Sequence, residues 1–197
     1  MGIKKERSMS SERKRVGVDL GLTDDEKQEL RRIARTVIEL KSRGKPIPSI
    51  PPATEKLKEG RGAFVCIYKQ GMLRGCIGSL EAADPLYKTV EEMAQAAEFR
   101  DPRFTPVSED ELPYLDMEIS VLTPLTEIHD HEEIEVGKHG IMIRKGGISG
   151  LLLPQVATER NWDRITFLQE TCRKAGLPRD AWKEKETKIY VFSADVF

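Results

Sequence analysis

Two periodicities organise the chain. Between Asp24 and Ser42, Leu30, Ile33, Ala34, Val37 and Ile38 recur three and four residues apart, which predicts a helix with one apolar stripe. Thr23 and Glu26 form a capping box at its start, and Gly44 and Pro46 stop it. Pro46, Pro48, Pro51 and Pro52 then enforce an extended connector. Strand formers follow in Ala63-Phe64-Val65-Cys66-Ile67-Tyr68, and Gln70-Gly71 supplies a turn, so residues 63–80 read as a β-hairpin. Asp84-Pro85 reads as a cap and first-turn proline opening a helix through Val90, Met93, Ala94 and Ala97. Residues 114–122 alternate Met117, Ile119 and Val121 against Glu118 and Ser120, the period of a half-buried strand. Gly146-Gly147 sits between Ile141–Arg144 and Ile148–Leu153 as a second hairpin. A helix starting at Asn161 or Asp163 carries Ile165, Leu168, Cys172 and Ala175 to Gly176, and Lys188–Phe192 closes as a strand. Hairpins and separated helices without regular strand-helix alternation predict an α+β fold, a mainly antiparallel sheet flanked by helices, with room for a smaller second lobe.

Charge changes this picture at the N-terminus. Residues 1–19 hold six basic side chains against three acidic ones with almost no apolar pattern, so they read as a basic solvated tail before a domain spanning 20–197. The basic side of the first helix, Lys27, Arg31, Arg32 and Arg35, reads as solvated surface. A net charge of -1 argues against nucleic-acid binding by the surface as a whole. No apolar run approaches the roughly 20 residues of a membrane span, and no signal-peptide core is present, which predicts a cytoplasmic protein without membrane contact. Three cysteines, an odd number, favour free thiols over a disulfide framework.

The densest chemistry lies in Leu73-Arg74-Gly75-Cys76-Ile77-Gly78. Two glycines in four positions weaken a strand, so something is expected to approach the backbone there. A two-residue or four-residue loop centred on Gln70-Gly71 places Ile67 opposite Arg74 and Val65 opposite Cys76. Arg74 and Cys76 then share a face, with Cys66 on the other, and Cys66 and Cys76 cannot form a disulfide without a register slip. Arg74 would favour a thiolate at Cys76. The competing reading is a buried cysteine with Arg74 in a structural ion pair. Asp101 and Arg103 read either as a salt bridge bracing a turn or as groups delivered to the pocket of Cys76. His129-Asp130-His131 has the spacing of two imidazoles on one strand face but sits in a polar loop, and no metal is assigned to it.

These residues carry a family resemblance. The hexapeptide is similar to the hallmark of the AMMECR domain family. Asp101-Pro102-Arg103-Phe104 with Pro106, Glu111-Leu112-Pro113, Ser120-Val121-Leu122, Val136–Ile141 with His139, Leu153-Pro154, Val156-Ala157 and Trp162-Asp163 resemble family blocks in the family order, from about Leu20 to Phe197. The resemblance implies a modification pathway shared with Memo-like and radical S-adenosylmethionine proteins, including modification of nucleic-acid bases, and assigns no cofactor. Two function classes are expected. In one, an enzyme uses Cys76 as nucleophile or redox thiol, Asp101 or His139 moves protons, and Arg74, Gly75, Gly78 and Arg103 bind an anionic small molecule or nucleic-acid substrate. In the other, the same hairpin surface is a non-catalytic ligand-binding or adaptor module, and a homo-oligomer is compatible with either. Most of Arg74, Cys76, Asp101, Arg103 and His139 are expected to line one net-positive cleft beside the first hairpin, and their dispersal would favour the adaptor class.

Overall fold

The computed structural model describes residues 17–80 and 83–197, so the basic tail falls almost wholly outside the described residues. Its last part is anchored: the Gly17 N–H donates to the Gly137 carbonyl at 3.0 Å and the Val18 N–H to that of Ala194 at 2.8 Å. Helix α1 (Asp24–Ser42) begins at the capping box, with the Glu26 N–H donating to Thr23 Oγ1 and the Thr23 N–H to Glu26 Oε2. Three of its four basic side chains are engaged, while Arg32 is exposed as expected. Lys27 pairs with Asp195 at 2.8 Å, Arg31 donates to the Met117 carbonyl, and Arg35 donates to those of Leu112 and Leu115. These donors cover strand carbonyls and a buried carboxylate that solvent does not reach. Helix α2 (Leu86–Phe99) starts after Pro85, which takes the cap position itself.

Seven strands form one antiparallel sheet: β1 (Ala63–Lys69), β2 (Met72–Ser79), β3 (Leu115–Leu122), β4 (Thr126–Ile128), β5 (His139–Lys145), β6 (Ile148–Leu152) and β7 (Thr187–Val196). Their order is β2-β1-β3-β7-β5-β6, with β4 also pairing β7. Alternation sorts side chains by face. Val65, Ile67, Ile119 and Val121 pack with the apolar stripes of α1 and α2 in one buried cluster. Ile141, Ile143 and Val191 pack with Phe167, Leu168 and Cys172 of α4 (Arg164–Lys174) in a second. On the opposite face, Leu122, Phe192, Ala194 and Leu153 form a third, which Phe64 and Val156 of α3 (Pro154–Glu159) join. No described helix is long and apolar enough to cross a membrane.

The first hairpin departs from its expected register at one residue. Gln70 and Gly71 take positive φ values of 52° and 81°, a two-residue turn, and pair Lys69 with Met72 and Tyr68 with Leu73 as expected. A bulge then leaves Arg74 over, so Ile67 faces Gly75 and Cys66 faces Cys76. One extra residue reverses the parity of everything beyond it. Cys66 and Cys76 therefore lie on the same face and are joined by a disulfide, which corrects the expectation of free thiols; Cys172 alone is free, and it is buried. Arg74 is correspondingly parted from Cys76 and reaches Glu111 together with Lys69.

Candidate functional site

Strand β2 forms the edge of the sheet, so its outward peptide groups need partners from elsewhere. Asp101 and Arg103 supply them at Cys76. The Cys76 N–H donates to Asp101 Oδ2 at 2.9 Å, and an Arg103 Nη2 hydrogen reaches the Cys76 carbonyl at 3.4 Å. Arg103 is in turn held by Asp101, with Nε on Oδ1 at 2.9 Å and Nη2 on Oδ2 at 2.7 Å. The pair thus stands where a neighbouring strand would. The Asp101 side chain is only 2% exposed, and the Arg103 guanidinium holds its carboxyl far below the usual carboxylate range, against burial, with the Cys76 and Arg103 N–H groups adding to the effect. The same pairing raises Arg103 above the ordinary arginine value.

Arg74 is engaged as completely. Its Nε and Nη2 bind the two oxygens of Glu111 at 3.0 and 2.9 Å, while Nη1 and Nη2 donate to the Thr105 and Pro106 carbonyls. Lys69 Nζ shares Glu111 at 2.9 Å, and the Ser108 N–H donates to it as well. The Arg74 fork, above all, holds the Glu111 carboxyl far below its usual range. Side-chain exposures of 13% and 11% make this a shielded ion pair. Together, the two networks fasten the loop from Asp101 to Glu111 over the hairpin edge.

The close approaches anticipated at the hexapeptide glycines are internal ones. A Cβ at Gly75 would lie 2.2 Å from the Ala97 carbonyl oxygen of α2, and one at Gly78 would lie 2.2 Å from the Phe64 ring. Neither glycine is left open for a ligand on that side. His139 begins β5, and β1, β3 and β7 stand between that strand and β2 in the sheet order. Its Nδ1 accepts the Glu135 N–H at 3.2 Å, and burial lowers its pKa. The structure therefore brings Arg74, Cys76, Asp101 and Arg103 around one hairpin edge and sets His139 in the other half of the sheet. His131 packs on Trp182, and among the described residues no three His, Cys, Asp or Glu side chains converge as a metal site would require.

Sequence reasoning overlooked three participants. Glu111 was readable as the fourth residue of a Ser108 capping box, yet nothing local ties it to Arg74. Cys66 was misplaced by the bulge. Glu118 lies across β1–β3 from Cys66, and Gln155 Nε2 donates to Glu118 Oε1 at 3.1 Å and Ser120 Oγ at 3.2 Å, so a polar row runs across the sheet beside the disulfide.

What this arrangement can do is set by what it leaves unused. The Cys76 sulfur is bonded, and Arg74 is enclosed. Of Arg74, Cys76, Asp101 and Arg103, it is Arg103 that combines a fixed guanidinium with access: its side chain is 50% exposed, its Cζ lies 5.3 Å from the centroid of the Phe104 ring, and its hydrogen bonds to described residues use Nε and Nη2 rather than Nη1.

Comparison with known proteins adds the relationship. The AMMECR1 family model matches residues 31–197. The Methanopyrus kandleri protein MK0488 is 45% identical over 186 residues, covering 89% of each chain. A protein of Aquifex aeolicus is 46% identical over 162 residues, covering 78% of this chain and 83% of its own. The crystal structure of Pyrococcus horikoshii protein PH0010 superposes with a TM-score of 0.84 at 40% identity, over 89% of this chain and 92% of that one. With its sheet, its helices and nearly its whole described length matched in this way, the chain belongs to the AMMECR1 family.

Proposed function

We propose that the chain is a non-catalytic binding module that receives a phosphate or carboxylate group at the outer edge of Arg103. The single observation that carries this reading is the half-exposed guanidinium, held by Asp101 through Nε and Nη2, with Nη1 unused by the described residues and the Phe104 ring beside it. A guanidinium already held in place loses little side-chain entropy on binding, and a planar fork suits an oxyanion. The enzymatic alternative draws less support, because Cys76 is in a disulfide and Arg74 is bound by Glu111 and two carbonyls. The Memo-like and radical S-adenosylmethionine proteins implied by the resemblance are the partners such a module would serve, and the cytoplasm is the compartment assigned to it. Inorganic phosphate titrated into the full chain at fixed ionic strength, followed by backbone amide shifts, tests the reading. Saturable shifts at Cys76, Arg103 and Phe104 are expected in the wild type and not in Arg103→Gln. Equal titration of both chains contradicts it.

A further inference from the structure

The disulfide occupies a position unlike that of a structural staple joining distant segments. Its residues are 10 apart in sequence, on strands already paired through the same hairpin, so the bond closes a short loop that the turn has closed before it. Its two sulfurs stand in different surroundings. Cys66 is 5% exposed in the middle of three strands, whereas Cys76 lies partly exposed on the edge strand. Cys66 also faces Glu118 directly across β3, while the Cys76 carbonyl is touched by the Arg103 guanidinium. Asp101 accepts the Cys76 N–H and pairs with Arg103, so each cysteine has a carboxylate close by, and what separates the two sulfurs is access: an external thiol meets Cys76 on the edge strand before it can meet Cys66.

We propose that Cys66 and Cys76 form a reversible dithiol–disulfide site in which Cys76 exchanges with external thiols, Cys66 is the resolving cysteine, and Glu118 carries the proton. In reduction, a thiolate of a small thiol reductant attacks Cys76 Sγ. The new sulfur–sulfur bond forms as the Cys66–Cys76 bond breaks, and Cys66 Sγ leaves with the electron pair and is protonated through Glu118. A second reductant thiolate then displaces Cys76, so two electrons reach the pair and the reductant departs as its own disulfide. In oxidation, the Cys76 thiolate attacks the reductant's disulfide form and releases one reductant thiolate, and Cys66, deprotonated by Glu118, then attacks Cys76 Sγ, closes the bond and expels the second reductant thiolate. The third cysteine, buried Cys172, takes no part. The inference concerns the sulfurs and Glu118 rather than the Nη1 side of Arg103, and its readout, alkylation of the two cysteines, is distinct from the phosphate titration that tests the anion reading.

The test equilibrates the native full chain with glutathione buffers of graded poise, quenches in acid, and counts alkylated cysteines by mass spectrometry. The expected result is a reversible transition in which Cys66 and Cys76 become alkylated together without unfolding. Cys66→Ser should collect glutathione on Cys76 several-fold faster than Cys76→Ser collects it on Cys66, as the difference in access between an edge strand and the middle of three strands requires. Glu118→Gln should slow the approach to equilibrium while leaving the midpoint nearly unchanged. A bond that opens only in denaturant, or equal rates at the two sulfurs, overturns the proposal. The wild-type transition needs no substitution, so it decides the matter even where a variant fails to fold.

Discussion

Gly75 and Gly78 show how one residue type serves two different contacts. At Gly75 the obstacle to a side chain is the Ala97 carbonyl, which belongs to a helix packed on the sheet and cannot turn aside; at Gly78 it is the ring of Phe64. Gly75→Ala is therefore expected to destabilise by several kcal/mol, in the manner of an overpacked core, and no trimming of a neighbouring side chain should restore it. Gly78→Ala should also destabilise, but Phe64→Leu introduced with it should recover part of the loss. Denaturant unfolding of the single and double variants measures both, and equal rescue at the two sites would show that the contacts are alike. The glycines were visible in the sequence as positions of close approach. The approaching groups were not, because Ala97 reaches Gly75 through tertiary packing and Phe64 comes opposite Gly78 only once the bulge has shifted the hairpin register.

Among the elements, the long periodic ones were legible and the short or interrupted ones were not. The stripe of α1, the hairpin turn at Gln70-Gly71 and the alternation of β3 follow from side-chain spacing alone. The bulge at Arg74 does not, since it depends on α2 lying against Gly75, and it moved Cys66 to the face of Cys76. Helix α2 also holds a carboxyl that periodicity would have kept out of the core. Glu98 is 2% exposed, and neither carboxyl oxygen has a hydrogen-bond partner. Burial pushes its pKa up to about 8, with Lys41 opposing. Its folded value lies above its ordinary one, so between about pH 4.5 and 8 the folded chain keeps a proton that the unfolded chain releases. Stability due to this group is thus present at low pH and falls by about 1.4 kcal/mol per pH unit across that window. Glu98→Gln should flatten this limb of the stability profile, measured by denaturant midpoints at several pH values. A slope unchanged by the substitution would show that Glu98 does not carry it.

At the scale of the whole molecule, β7 joins two packed halves. Its Val191 lies in the cluster with α4, its end pairs with β3 beside α1, and Phe192 and Ala194 form the small cluster on the opposite face. Arg74, Cys76, Asp101 and Arg103 all belong to the half built on α1 and α2, whereas His139 belongs to β5 in the other. The residues whose blocks flank α2 thus lie together, and the histidine lies apart from them. Sequence order alone cannot tell which half of a curled sheet a strand will join. Where the groups do meet, they are fastened to each other, and the central claim is that among the described cationic groups at this edge Arg103 is the one left half exposed to meet an anion. Side-chain NMR of the chain labelled in its arginines reads that claim most directly. The account predicts that the Nη signals of Arg74 are resolved by restricted rotation and indifferent to added phosphate, while those of Arg103 move to saturation. Phosphate-dependent shifts at Arg74 with none at Arg103 would contradict it.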